Sequence, residues 1–327
     1  MNLPIKVKDM VIDLRQCAAL IKEHNEFVII SHEHPDGDTL GSAFALAEIL
    51  RIMGKKRVVK CSDIIPKDFY YMTDSYIADD VTDPFIVTVD VADEKLLGNM
   101  ASLYGGRVDL CIDHHVSNTY YAKNTFVEDR AAACGIIYEL ALELGIEPNL
   151  YMRECIYTGI STDTGCFRYQ NTTPQTLRIA ADLMEKGIDS KKINKLMFET
   201  KTKSLLHLEL LARNTLEYYF DGRCAIITLT QAMYKESGSA EHECYSITAL
   251  PRQIEGVLVG AVIKEKEDGT FGISVRTEGD IDASEICSKM NGGGHKGAAG
   301  ASFSCSYEEG KAQLLNVIKT ALDGLNQ

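Results

Sequence analysis

A chain of 327 residues with 45% hydrophobic and 25% charged side chains is long enough for two domains and too apolar to be disordered or collagenous. Its formal net charge of −13 disfavours sequence-independent binding to long duplex DNA, which depends on many Lys and Arg contacts to phosphate, and leaves short nucleotide phosphates open. No run reaches the length of a membrane span, Met1–Lys6 is not a secretory start, and the ten cysteines form no Cys-x-x-Cys pair; a cytoplasmic protein with reduced thiols is expected, without a zinc ribbon or a disulfide framework.

Helical spacing from Met10 to Glu23 leads to an apolar strand, Phe27–Ile30, and then to Ser31-His32-Glu33-His34-Pro35-Asp36-Gly37-Asp38. Pro35 and Gly37 predict a tight turn before a helix over Thr39–Met53, which stops at Gly54. His32, Asp36 and Asp38 therefore stand at a strand end and in the loop after it, where ligands converge, although carboxylates at a helix N-terminus give the same local pattern. Arg57–Cys61 reads as a second strand, Pro66–Met72 as helical, and Phe85–Val89 as a third strand that runs into Asp90. Asp93-Glu94-Lys95 opens the next helix, and Val108–Ile112 is a buried strand delivering Asp113-His114-His115. Alone, that tripeptide is equally a helix-capping Asp with two surface histidines. Strand and helix alternate throughout, which predicts a parallel sheet with helices on both faces and ligands at the carboxyl ends of its strands.

Val116–Glu128 is irregular, Ala131–Leu144 is helical with Gly145 as its stop, and a helix from Leu150 leads to Asp163, bracketed by Gly159 and Gly165. An Asx-turn would explain Asp163 equally well by itself. Thr173-Pro174-Gln175 opens a helix that closes at Gly187, and Lys191–Leu216 reads as a helical connector. Beyond it, strands Cys224–Leu229, Val257–Lys264 and Gly272–Arg276, with a hairpin turn at Glu267–Thr270, predict a smaller α/β domain. The expected division is residues 1–190 for a metal-binding domain, 191–216 for the connector and 217–327 for a substrate-binding domain across a cleft. Asn291-Gly292-Gly293-Gly294-His295-Lys296 reads as a glycine loop whose N–H groups converge on an anion, with Arg276 supplying a planar fork for phosphate.

The candidate ligands are imidazoles and carboxylates with no thiolate, which favours manganese or a magnesium-like ion over structural zinc. His32, Asp36, Asp38, Asp90, Asp113, His114 and Asp163 exceed the needs of one ion. They suit two ions sharing a carboxylate, the arrangement that activates water for attack on phosphorus.

The set His32-x-x-x-Asp36-x-Asp38, Asp90, Asp113-His114-His115 and Asp163, followed by Gly292-Gly293-Gly294-His295, closely resembles the DHH/DHHA1 phosphoesterases over nearly the whole chain. Within them it is similar to the standalone type that acts on very short RNAs and as a phosphatase on 3′-phosphoadenosine 5′-phosphate. The resemblance implies two Mn2+ ions, with Co2+ or Mg2+ as substitutes. His32 and Asp36 would hold one, Asp38, His114 and Asp163 the other, and Asp90 would bridge them. It implies that His115 faces the scissile phosphate, that Asp113 orients the histidines, and that Arg276, His295 and Gly292–Gly294 bind the far end of the substrate. His34 matches no ligand position and is expected at the surface. Ala131-Ala132-Ala133-Cys134 departs from the small hydroxyl residues of many relatives, removing hydrogen bonds to phosphate or water. The implied partner is a short RNA or nucleotide phosphate; a homodimer is left open, and no membrane or long duplex DNA is expected. A phosphodiesterase of cyclic-di-AMP or linear dinucleotides is the neighbouring alternative. A family pyrophosphatase lacks support, because the second domain has no Ser-Arg-Lys-Lys stretch, and a nucleotide-binding regulator that had lost catalysis would have lost ligands.

Overall fold

Phe27–Ile30 and Phe85–Val89 carry almost nothing polar, a pattern that requires cover on both faces of a sheet. The computed structural model, which describes residues 10–325 apart from the side chains of residues 241–243, 245 and 295, places them in such a sheet. The chain forms two compact units that divide after Thr200.

The first unit contains α1 (Leu14–Glu23), β1 (Glu26–Ile30), α2 (Gly37–Ile52), β2 (Lys56–Lys60), α3 (Tyr70–Thr73), β3 (Phe85–Val89), α4 (Ala101–Tyr104), β4 (Leu110–Asp113), β5 (Asn124–Val127), α5 (Ala133–Glu143), α6 (Leu150–Asp163), α7 (Pro174–Glu185) and α8 (Ser190–Asn194). Its five strands are all parallel in the order β2-β1-β3-β4-β5, with Val28 beside Val58 and Ile86, and Ile112 beside Phe126. Side chains alternate between the faces. Phe27, Ile29, Val87, Val89 and Ile112 pack with α1, α2, α5 and α6, while Val28, Ile30, Ile86 and Cys111 pack on the other side with Leu97, Val108 and the 3₁₀ turn Glu94–Met100. Burying each such aliphatic side chain contributes roughly 1.5–3 kcal/mol. Because the strands are parallel, residues following β1, β3 and β4 emerge at one edge of the sheet.

Three local readings are corrected. The segment Val116–Glu128 is not wholly irregular, since β5 adds to β4 at the sheet edge and Val11 bridges Thr125. The run Lys191–Leu216 is not one helix: α8 passes into a π-turn at Lys195–Glu199 and breaks before α9 (Lys203–Arg213). The glycine stretch is not an open loop but a hairpin, described below.

The second unit adds β6 (Glu217–Tyr219), β7 (Cys224–Leu229), α10 (Gln231–Ser237), β8 (Val259–Glu265), β9 (Phe271–Thr277), α11 (Ala283–Ser288), β10 (Gly293–His295), β11 (Ala298–Phe303) and α12 (Tyr307–Gly324). Its six strands run in the order β10-β11-β9-β8-β7-β6, with β7 and β8 parallel and the other pairs antiparallel. Ile226, Ala261 and Val275 pack with α11 and α12 on one face; Ile227, Leu229 and Val262 pack with α9 and α10 on the other. No helix among the described residues is long and apolar enough to cross a membrane.

Candidate metal centre

Three strand ends and two helix ends bring the polar residues together. Asp36 is the N-cap of α2, its Oδ1 accepting from the N–H groups of Asp38 and Thr39, so the capping role and a ligand role coexist in one carboxylate. Thr39 fastens the neighbouring strand ends, its hydroxyl donating to Val89 O (3.2 Å) and accepting from His32 N (3.3 Å). Asp90 follows β3 with a left-handed backbone, φ 59°, and is buried. His114 and His115 follow Asp113 at the end of β4, and Asp163 closes α6.

Ligand atoms converge in overlapping groups: His32, Asp36 and Asp90; Asp38, His114 and Asp163; and Asp90, His114 and His115. The Asp90 carboxylate divides between them. Its Oδ2 lies 3.4 Å from His32 Nε2, and its Oδ1, buried without a hydrogen-bond partner, lies 3.2 Å from His114 Nε2. Both imidazoles are tied at the opposite nitrogen, His32 Nδ1 to Glu33 O (2.6 Å) and His114 Nδ1 to Arg130 O (2.9 Å). A carbonyl accepts only from N–H, so Nδ1 carries a proton in each ring and Nε2 is the nitrogen left to face the carboxylates, the orientation of metal-ligating histidines. His115 Nδ1 donates to Asp113 Oδ1 at 2.7 Å. Asp113, fully buried, also accepts from His114 N (2.8 Å) and from the Asn118 amide at Oδ2 (2.6 Å). It stands behind both histidines and belongs to none of the converging groups.

The electrostatics follow from burying acids together. Burial, then the Asp90 charge, push Asp38 up to about 7, and burial followed by Asp38 raises Asp163 well above the usual carboxylate range. Burial opposes the imidazolium of His32, but Asp36 and Asp90 outweigh it and hold its pKa well above the ordinary value; His114 is raised against burial by Asp90, Asp163 and Asp38. Asp90 itself is drawn low, against burial, by the close imidazoles of His114 and His32. Acids that keep protons beside imidazoles that gain them mark a cluster of anionic ligands, and a divalent ion reverses both tendencies. The orphaned Asp90 oxygen, the carbonyl-tied histidines and a donor set of imidazole and carboxylate fit such ions.

Several contributors had no signature in the sequence. The N–H groups of Ala133 and Cys134 at the start of α5 hold Asp38 at Oδ2 (2.6 Å) and Oδ1 (2.8 Å), so the stretch lacking hydroxyls acts through its backbone. A side chain at Gly159 would meet Cys134 Sγ and come within 2.7 Å of Asp38 Oδ1. Asn118 is legible only through its partner in space. His34 is exposed, at φ 55°, and paired with Asp63 at 2.8 Å. Arg276 lies near the end of β9, opposite Ala298, and donates to Val275 O. Gly293 and Gly294 belong to β10, paired with β11, where a Cβ on Gly294 would meet Ala298 O at 2.6 Å and one on Gly292 would meet Ala301 at 2.7 Å. Close pairing therefore explains Gly292 and Gly294. The side chain of His295 lies outside the described residues.

Comparison with known proteins decides the family. A model described as the DHH family N-terminal domain matches residues 26–160, and a DHHA1 domain model matches residues 230–324. The Bifunctional oligoribonuclease and PAP phosphatase NrnA of Thermus thermophilus is 30% identical over 84% of this chain and 83% of its own. The chain belongs to the DHH family. Another DHH relative, the NrnA of Bacillus subtilis, is 26% identical over 86% of this chain and 91% of its own. An exopolyphosphatase-related protein from Bacteroides fragilis has the same DHH fold, with a TM-score of 0.81 and 24% identity over 95% of this chain and 96% of that one. Membership makes the protein a metal-dependent hydrolase of phosphoester bonds.

Proposed function

We propose that the protein is a manganese-dependent phosphoesterase that hydrolyses short oligoribonucleotides and 3′-phosphoadenosine 5′-phosphate at a two-ion centre. The observation that carries this reading is the division of the Asp90 carboxylate, one oxygen toward His32 and the other toward His114. His32 and Asp36 would hold one ion, Asp38, His114 and Asp163 would hold the other, and Asp90 would be shared between them. Mixed imidazole and carboxylate ligation suits manganese better than magnesium, which prefers oxygen and retains its waters. Bound ions supply the Lewis-acid activation of water and phosphoryl group that in-line hydrolysis needs. Asp113 fixes the His115 ring through Nδ1, leaving Nε2 to face the scissile phosphate. Arg276, the Gly292–Gly294 backbone and His295 are the substrate contacts assigned to the second unit. The substrate names come from the NrnA relatives, and the net charge of −13 suits them, because an acidic chain offers no extended basic track to reward a long strand.

The test strips the protein of metal and restores Mn2+, Co2+ or Mg2+ before assay on 3′-phosphoadenosine 5′-phosphate, RNAs of two to five and of twenty nucleotides, cyclic dinucleotides and pyrophosphate. Manganese is expected to give the highest rate, with turnover falling as RNA lengthens. Full activity with magnesium and none with manganese would discard the metal assignment. Turnover of cyclic dinucleotides alone would replace the substrate.

A further inference from the structure

The group Asp38, His114 and Asp163 is assembled from α2, from the loop after β4 and from the end of α6, yet all three are tied to one short segment, residues 130–134. Arg130 O accepts from His114 Nδ1, and the N–H groups of Ala133 and Cys134 donate to Asp38. Among the described residues, the hydrogen bonds that join Asp163 to the same segment come from one side chain. The Asn171 amide donates from Nδ2 both to Ala131 O and to Asp163 O, each at 3.1 Å. The path from Asp163 to Asn171 turns back through three consecutive residues with positive φ, Gly165 (55°), Cys166 (59°) and Phe167 (62°), two of them in a conformation that side chains disfavour. A strained turn of this kind persists where surrounding contacts over-determine it, and here it returns Asn171 to the end of α6.

We infer that Asn171 is the positioning residue for Asp163, and through it for the ion held by Asp38, His114 and Asp163. Asn171 itself is exposed, so its bonds compete with water and add little to overall stability. Their effect is local: they fix the main chain that carries one ligand against the segment that fixes the other two. Among the described residues Asn171 makes no hydrogen bond to His32 or Asp36, so loss of the amide should affect the two ions unequally. This rests on the two-ion reading above.

The test is calorimetric titration of metal-stripped protein with Mn2+, together with electron paramagnetic resonance of the loaded protein, for wild type, Asn171→Ala and the near-isosteric Asn171→Leu. Wild type should take up two ions per chain and show a spin-coupled pair. Both variants should keep one ion at wild-type affinity, bind the second about 10–100-fold more weakly, as loss of an outer-layer partner does, and lose the coupled signal. Metal-free melting temperature should be unchanged, and saturating Mn2+ should restore kcat. Two ions bound as in wild type by both variants would overturn the inference, as would equal weakening of both ions with a lowered metal-free melting temperature. Fewer than two ions in wild type would instead refute the two-ion reading.

Discussion

At Asp90 the backbone adopts φ 59°, a left-handed conformation that costs a non-glycine residue on the order of 1–2 kcal/mol. Keeping it there aims a buried carboxylate between two imidazoles on different strands, one oxygen for each. Asp90→Asn preserves the shape and removes the charge that two cations would share. Turnover is expected to fall by at least about 100-fold and metal to be lost from both sides; elemental analysis showing two retained ions with activity intact would exclude a bridging role. The converging His and Asp residues could be picked out in the sequence as candidates because hard-ion chemistry favours those side chains, and the chain places most of them after recognisable apolar strands. Asn118 and Asn171 could not, because a side-chain amide acquires its meaning only from acceptors brought near by folding, Asp113 for one and the carbonyls of Ala131 and Asp163 for the other.

Among the elements, α2 and α6 can approach only because glycines face the contact. A Cβ on Gly41 would sit 2.5 Å from Cys155 O, and one on Gly159 would press on Cys134 and Asp38 Oδ1. Cys134 fills the space that remains, accepting from Ser42 Oγ at 3.3 Å. Gly159→Ala should therefore destabilise by about 1–3 kcal/mol through overpacking and shift Asp38 with it. Gly135→Ala on α5 is the contrast, because its Cβ would meet only Ile179 Cδ1 at 3.9 Å, an ordinary contact. A gain of roughly 0.5–1 kcal/mol is expected there from helix propensity and reduced freedom of the unfolded chain. Urea denaturation midpoints of the two variants test the pair; equal stabilities would show that α2 and α6 have room to adjust. The long central strands and helices were readable because both carry strong apolar patterns. Strand β5, with two apolar residues in Asn124-Thr125-Phe126-Val127, is decided by pairing with β4, and the glycine hairpin by pairing of β10 with β11. Neither pairing leaves a periodicity in its own segment.

For the whole molecule, the burial of several acids in one place makes stability depend on pH and metal together. In metal-free protein Asp38 has a folded pKa of about 7, far above the roughly 3.9 of an unfolded Asp. Its contribution to folding is complete below about pH 4 and is lost as pH rises toward 7. Asp163, raised by burial and by Asp38, acts in the same direction. His32 and His114, also raised, contribute fully below the unfolded value near 6.5 and lose that contribution as pH climbs through their folded values. Asp90, held low, has the opposite sign, but its contribution is lost only in more acidic solution and stays constant across this interval. The metal-free protein should thus melt at progressively lower temperature between pH 5 and pH 8. A formal net charge of −13 adds self-repulsion that also grows with pH, so the trend alone does not isolate the centre. The manganese-loaded protein carries that same remote repulsion, while ion binding requires the ligands deprotonated and strengthens as pH rises. An ion at 100 times its Kd adds about 2.7 kcal/mol to folding. The gap in melting temperature between manganese-loaded and chelator-treated protein should therefore widen from pH 5 to pH 8, as scanning calorimetry would show. A gap that stayed constant, or narrowed, would mean that metal uptake is not linked to protons on these acids and imidazoles.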